Sequence, residues 1–327
     1  MGFLYSQLFV TPAIPTTDLT GQTLIITGSN TGLGYAAAVH IARLKPKLLI
    51  LAVRNLEKGN AARAKILTEA NVDTSTTSID VWQLDMSSFA SVLSFSDRCA
   101  KLDRLDGVSL NAGVQMHKFE IVEGYESTIA INVVSTFLLE VALMPVLQRS
   151  AERYGISPRL SMVSSETHAW ASWPEKKTPE GEKILEAMSK EGAAITQGRY
   201  MDSKLMQILV FRHMVKLRDA RGKSGVTMNI LNPGFCYSDL GRDDAPLVMH
   251  VMRKVLARTQ EMGGRPIAAG LVAGKETNGQ YMHDGVVDVG ALSSYVKSQE
   301  GADMGERLWN ELKAVFEDLR PGLTAEI

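Results

Sequence analysis

Tyr200-Met201-Asp202-Ser203-Lys204 sets a phenol and an ammonium four residues apart, a spacing that puts both on one face of a helix. A free phenol, with a pKa of about 10, is a proton donor and a poor base at neutral pH, so a neighbouring ammonium that stabilises the phenolate is the useful partner. Lowering that pKa by roughly 3 units takes about 4 kcal/mol, within reach of an ammonium plus one further cation in a dry site. Taken alone the pair is common on protein surfaces, so its meaning depends on its company. His168, three residues past Ser165, has no acid partner and no nucleophile-elbow motif beside it, which argues against hydrolysis.

A second set of residues points to a nucleotide. The apolar run Thr23 to Thr27 leads straight into Gly28-Ser29-Asn30-Thr31-Gly32-Leu33-Gly34 and then into a helical pattern, Leu33 to Leu44. Three glycines let the backbone turn sharply and approach a pyrophosphate at the N-terminus of the helix. The spacing is G-x-x-x-G-x-G, not the commoner G-x-G-x-x-G, and a merely tight strand-to-helix turn is the bland alternative. The second apolar run ends Ala52-Val53-Arg54-Asn55, without the acid that would grip a ribose 2′-hydroxyl; Arg54 offers a planar cation suited to a 2′-phosphate. Asp85 could accept a hydrogen bond from an adenine amino group or simply open the next helix. Asn111-Ala112-Gly113 closes the fourth run with small residues that permit close contact with a cofactor.

The elements that must position these groups are short apolar runs alternating with helical patterns. Thr23 to Thr27, Leu48 to Val53, Val81 to Leu84, Gly107 to Leu110, Leu160 to Val163 and Thr227 to Leu231 read as buried strands. Leu33 to Leu44, Glu57 to Asn71, Phe89 to Ala100, Tyr125 to Arg149 and Tyr200 to Arg221 read as helices. Such alternation predicts a doubly wound α/β fold, a parallel sheet of Rossmann type covered on both faces. It runs unbroken, so residues 1–327 read as a single domain with two additions: a substrate-loop insertion, 166–199, and a substrate lid, 240–278.

Composition narrows the function classes. The 327 residues carry 35 Lys and Arg against 36 Asp and Glu, a net charge of −1, which argues against a nucleic-acid partner. With 45% hydrophobic and 22% charged residues the chain is ordinary globular protein. Cys99 and Cys236 form no metal-ligand or disulfide pattern, so no metal is expected and a reducing, cytoplasmic setting is the simpler reading. The apolar N-terminus MGFLYSQLFV is too short to span a bilayer and lacks signal-peptide features; it is expected to pack on the body of the fold, and no membrane span is expected elsewhere.

In order along the chain, TGxxxGxG at 27–34, NAG at 111–113, Asn132, Ser164-Ser165, Tyr200 with Lys204, and Pro233-Gly234 resemble the short-chain dehydrogenase/reductase family over residues 20–290. AVRN at 52–55 and SSETH at 164–168 resemble its branch of retinol dehydrogenases, WW-domain oxidoreductase and fungal secondary-metabolism reductases; FLYSQLFVTP resembles the fungal members. The resemblance implies Tyr200 as general acid or base, and Lys204 as the group that lowers its pKa and binds nicotinamide ribose. It further implies Ser165, rather than Ser164, as donor to the substrate oxygen, and Asn132 as holder of a water that connects Lys204 to solvent. Ser238 is the candidate for the nicotinamide carboxamide.

The catalytic set is thus Asn132, Ser165, Tyr200 and Lys204. The cofactor set is Gly28, Ser29, Asn30, Gly32, Leu33, Gly34, Arg54, Asn55, Asp85, Met86, Asn111, Ala112, Gly113, Tyr200, Lys204, Pro233, Gly234 and Ser238. The expected cofactor is NADPH/NADP+, and the partner a small-molecule carbonyl or alcohol. The expected substrate is bulky and apolar, enclosed by the insertion with Trp170, Trp173 and Pro174 and by an amphipathic helix over Leu247 to Leu256. Two other readings use the same pocket: a non-redox isomerase or cyclase, and a nucleotide-sensing protein. Family members often form homodimers through helices corresponding to Tyr125 to Arg149 and Tyr200 to Arg221.

Overall fold

The computed structural model describes residues 3–116, 118–190, 198–223, 225–237, 254 and 256–327. Apolar runs too short for helices become the buried strands β1 (Thr23–Thr27), β2 (Leu48–Val53) and β4 (Gly107–Leu110), while β3 (Ser78–Gln83), which begins ahead of the expected Val81 to Leu84 run, is the partly exposed edge strand. After a two-stranded hairpin of β5 (Ile121–Val122) and β6 (Tyr125–Glu126) come β7 (Arg159–Val163), β8 (Thr227–Asn232), β9 (Gln280–His283) and β10 (Val286–Val287). The eight-stranded sheet has the order β10-β9-β8-β7-β4-β1-β2-β3 and is parallel throughout except for β10, which pairs antiparallel with β9. Leaving β1 the chain crosses to β2 on one side, and leaving β3 it returns to β4 on the other. The crevice at the C-terminal ends of β1 and β4 is therefore the topological switch point where such sheets bind ligands.

Helices fill both faces. The first face carries α2 (Gly32–Arg43), α3 (Leu56–Glu69) and, far down the chain, α8 (Gln260–Val272), whose Ile267, Ala268 and Leu271 share a core with Leu24, Ile26 and Leu51. A Cβ on Gly264 would stand 2.7 Å from Ala36 Cβ and the Ala37 nitrogen, so the missing side chain is what lets α8 touch α2. The part of 240–278 from Gln260 onward is therefore a sheet-covering helix, not a lid; residues 240–253, with most of the expected 247–256 helix, lie outside the described residues.

The opposite face carries α4 (Phe89–Cys99), the long helix α5 (Ser127–Tyr154) and, after the short α6 (Ile184–Met188), α7 (Gly198–Ala220). α5 is apolar enough to cross a membrane by composition, but 83% of its most apolar stretch is buried inside the protein. Its first residues, read as helix from Tyr125, instead finish the β5–β6 hairpin, and Glu126 caps the helix by accepting from the Ile129 amide at 3.1 Å. The C-terminal helix α9 (Gln299–Leu319) packs along α7: a Cβ on Gly305 would meet the Leu209 carbonyl at 2.6 Å. The C-terminal helix thus covers part of α7, one of the two helices named for a homodimer.

Candidate active site

The C-terminal ends of β1, β2, β3, β4 and β7 and the start of α7 enclose a cleft of about 450 Å³. Its walls include Gly28, Asn30 and Thr31 to Gly34 from the β1–α2 turn, Ala52 and Arg54 after β2, and Leu84 to Ser87 after β3. Asn111 to Met116, Ile131, Val163, Ser164, Tyr200, Lys204 and Pro233 complete it.

The turn keeps its shape through backbone conformation and through Asn111. Gly28 and Gly32 have φ of +66° and +61°, the left-handed region that a side chain disfavours. Asn111 donates from Nδ2 to the Thr27 carbonyl at 2.9 Å, and Thr27 Oγ1 accepts from the Asn111 and Ala112 amides, each at 2.9 Å. Asn111 is thus a brace for the glycine turn. Ser29 is fully buried, and its hydroxyl donates back to the Ile26 carbonyl at 2.9 Å. The Asn55 side chain accepts from the Lys58 amide at 2.9 Å and caps α3. Asp85 accepts from the Ser87 amide and hydroxyl at 2.9 and 2.6 Å while still lining the cleft with Met86. Arg54 is exposed at the mouth. Gly113 lines the cleft where a Cβ would approach Asn132 Oδ1 to 3.2 Å.

Tyr200 and Lys204 lie on α7 with the Lys204 ammonium 5.5 Å from the Tyr200 ring centre. Burial pushes the phenol up to about 12, against a side-chain hydrogen bond from Ser165 that lowers it. Burial alone pushes the Lys204 ammonium down to about 7. Its Nζ donates to the Val163 carbonyl at 2.9 Å and to Gln207 Oε1 at 3.1 Å. The two serines just past β7 have different partners: the Ser165 hydroxyl accepts from the Thr167 amide and hydroxyl at 3.2 and 3.0 Å and acts on the Tyr200 phenol, whereas Ser164 lines the cleft and its hydroxyl donates to the Lys204 carbonyl at 3.2 Å.

Asn132 sits in a π-helical stretch, Ala130–Ser135, inside α5. Its side chain clamps the strand that leaves β4, accepting from the Val114 amide and donating to the Val114 carbonyl, both at 2.8 Å. The Asn132 carbonyl accepts from Gln207 Nε2 at 2.6 Å. Sequence reasoning missed Gln207, although its place three residues past Lys204 and seven past Tyr200 puts it on their helix face. Thr27 stood at the head of the TGxxxGxG motif without a role of its own; its hydroxyl, accepting from the Asn111 and Ala112 amides, supplies one.

Beyond the cleft the outcome is mixed. Pro233 lines it, Gly234 (φ +83°) turns the chain next to it, and Ser238 lies outside the described residues. From the insertion, Trp173 is fully buried in the core, donating its amide to Asp202 Oδ1 at 3.0 Å, so it is not a pocket residue. Trp170 stands half exposed against Phe3, ring centres 5.8 Å apart, and Phe3 in turn meets Phe235 at 6.4 Å. This brings the N-terminal helix α1 (Phe3–Phe9) onto the loop after β8. His168 is buried between the Ser165 carbonyl (2.8 Å from Nδ1) and the Ser293 amide (3.2 Å from Nε2), a bridge for the neutral ring. Cys236 is buried beside Gly263, with its thiol pushed up to about 12 by burial.

The family described as short chain dehydrogenase matches residues 22–156. The chain is 40% identical to the short-chain dehydrogenase anuD of Penicillium roqueforti, over 99% of this chain and 84% of that one. Among solved structures, the NADH-dependent reductase A1-R′ complexed with NAD superposes with a TM-score of 0.57 at 19% identity, covering 84% of this chain and 98% of its own. A short chain dehydrogenase from Shigella flexneri complexed with NADP gives 0.54 at 22%, covering 82% and 99%. At these identities the two structures speak for the fold.

Proposed function

The chain belongs to the short-chain dehydrogenase/reductase family, nicotinamide-dependent oxidoreductases, and from that premise we propose that it is an NADPH-dependent reductase of a bulky, largely apolar ketone or aldehyde. The observation that carries this reading is the meeting of Tyr200 and Lys204 with the glycine turn and Arg54 in one cleft. When bound, NADPH supplies the hydride.

The residues present fit that cofactor. Nothing stands within 4 Å of where a Gly32 Cβ would be, so bare backbone faces the cleft beside the first amides of α2, which suit a pyrophosphate. Arg54 at the mouth, with no carboxylate in Ala52 to Asn55, supports a 2′-phosphate over a free hydroxyl. Asn111 and Asn132 brace these walls from behind, through Thr27 and Val114.

Tyr200, its phenol kept protonated by burial, is ready to give a proton to a carbonyl oxygen. Ser165 would donate to the same oxygen, and Lys204 would balance the charge left on Tyr200. The aromatic group of Phe3, Trp170 and Phe235 next to Pro233 supports an apolar substrate. We place the reaction in fungal secondary metabolism, as the branch resemblance implies, and in a soluble cytoplasmic enzyme. The family relatives favour this over the non-redox and nucleotide-sensing readings.

The test is consumption of NADPH with ketones graded in apolar size, alongside fluorescence titrations of both cofactors. The reading expects kcat/KM to rise with apolar size and NADPH to bind more tightly than NADH. A flat or falling series removes the substrate class; equal binding of the two cofactors removes the NADPH assignment.

A further inference from the structure

Gln207 is 2% exposed and uses both ends of its amide. Nε2 donates to the Asn132 carbonyl at 2.6 Å, and Oε1 accepts from Lys204 Nζ at 3.1 Å. The two partners fix the amide's orientation: turned over, it would set its NH2 against an ammonium and its oxygen against a carbonyl. The Asn132 carbonyl belongs to the π-helical stretch, where widening of the helix frees backbone groups from the usual ladder. We propose that Gln207 is the positioning residue of this site: its amide links the Asn132 carbonyl to the Lys204 ammonium directly, across a span that the family resemblance assigns to a water, and so keeps Lys204 charged and beside Tyr200. The inference rests on the reading of Tyr200 and Lys204 as the proton-handling pair and deepens it.

The charges around Lys204 leave this work to neutral dipoles. On α7, Tyr200 is the neighbouring titratable group, and Asp202 is turned to the Trp173 amide and Arg199. On the 3-10 turn after β7, Glu166 answers to Asp284, Arg258 and Asn232, and His168 to the Ser165 carbonyl. On α5, Glu140 faces Arg218. None of these carries a charge that shifts Lys204, whose ammonium stands over the Tyr200 ring and is lowered by burial. The Val163 carbonyl and the Gln207 amide oxygen are its hydrogen-bond acceptors among the described residues, and each favours the charged form.

The proposal is tested on the full chain labelled with [ε-13C]lysine, the Lys204 resonance being assigned by its loss in Lys204→Met and followed through a pH titration without cofactor. Gln207→Leu should lower the titration midpoint by about one pH unit, the equivalent of one charge-assisted hydrogen bond, and Gln207→Glu should raise it by about the same. Gln207→Asn, one methylene too short to reach both partners, should behave like the leucine variant and carries the test if that variant does not fold. With NADPH and phenanthrenequinone as the probe carbonyl, the alkaline limb of kcat/KM should move the same way in each variant, because the reaction needs Lys204 charged. Midpoints that move while no ketone is reduced would keep this role for Gln207 and remove the reductase reading. Midpoints that stay together while melting temperatures fall would make Gln207 a packing residue and overturn the proposal.

Discussion

Gly34→Ala isolates the glycine turn from everything else in the cleft. Gly34 lies in the first turn of α2, and its φ is not in the left-handed region, so alanine fits the backbone and should gain about 0.5–1 kcal/mol of helix propensity. Against this, the new Cβ would stand 2.5 Å from Asn111 Nδ2 and closer still to the Gly28 carbonyl. Neither gives way cheaply, because Asn111 is bonded to the Thr27 carbonyl and Gly28 sits at φ +66°. Reaching ordinary contact needs about 1 Å of movement, and overpacking of this kind costs about 1–3 kcal/mol. The net effect is a loss of about 0–2.5 kcal/mol, a few degrees of melting temperature. The displaced turn is the one read as the pyrophosphate cradle, so NADPH affinity should fall by about tenfold or more, as misplacements approaching 1 Å do at such sites. The assay pairs a thermal melt with a fluorescence titration of NADPH. Gly32→Ala serves as control, with backbone strain at φ +61° but open space around the new atom. A lower melting temperature with unchanged NADPH affinity would refute the cradle; a raised melting temperature would refute the tight packing.

Arg54→Ala should remove most of the preference for NADPH, itself about tenfold to a hundredfold for one charge-assisted bond of about 1.5–3 kcal/mol, as read by Kd for both cofactors. Tyr200→Phe should abolish turnover while leaving cofactor Kd nearly intact, and Ser165→Ala should lower kcat far more than Ser164→Ala; the opposite ranking would mean the strand face is inverted. Glu140, fully buried with its carboxyl pushed up to about 8, binds its proton more tightly in the folded than in the unfolded chain. Its stabilising contribution is therefore complete below the unfolded pKa of about 4.3 and is lost as pH rises toward 8, at up to about 1.4 kcal/mol per unit. Glu140→Gln should accordingly melt higher than wild type at pH near 8 and lose that advantage near pH 5; equal differences at both would show that Glu140 does not carry this dependence.

Strand runs such as Leu48–Val53 and the turn Gly28–Gly34 were legible because their signals are local: an unbroken apolar run belongs in a two-sided sheet, and a glycine triplet before a helix reads as a turn. Tyr200 and Lys204 were legible because one helix face joins residues four apart, and the family pattern lent them roles. What the chain alone left open depends on residues distant in sequence. α8 lies within the stretch read as a lid, yet its glycines seat it against α2, some 220 residues earlier. Trp173 looked like a pocket aromatic, but burial beside Asp202 claimed it. The helix α9 covers α7, a pairing that no local pattern announces. Gln207 carried no motif, and only the approach of a π-helical carbonyl from α5, 75 positions away, gave its amide a second partner. Local periodicity determines which elements form and which face each one buries. Tertiary packing decides which polar groups are left to meet, because a buried amide must find both its partners wherever the fold brings them.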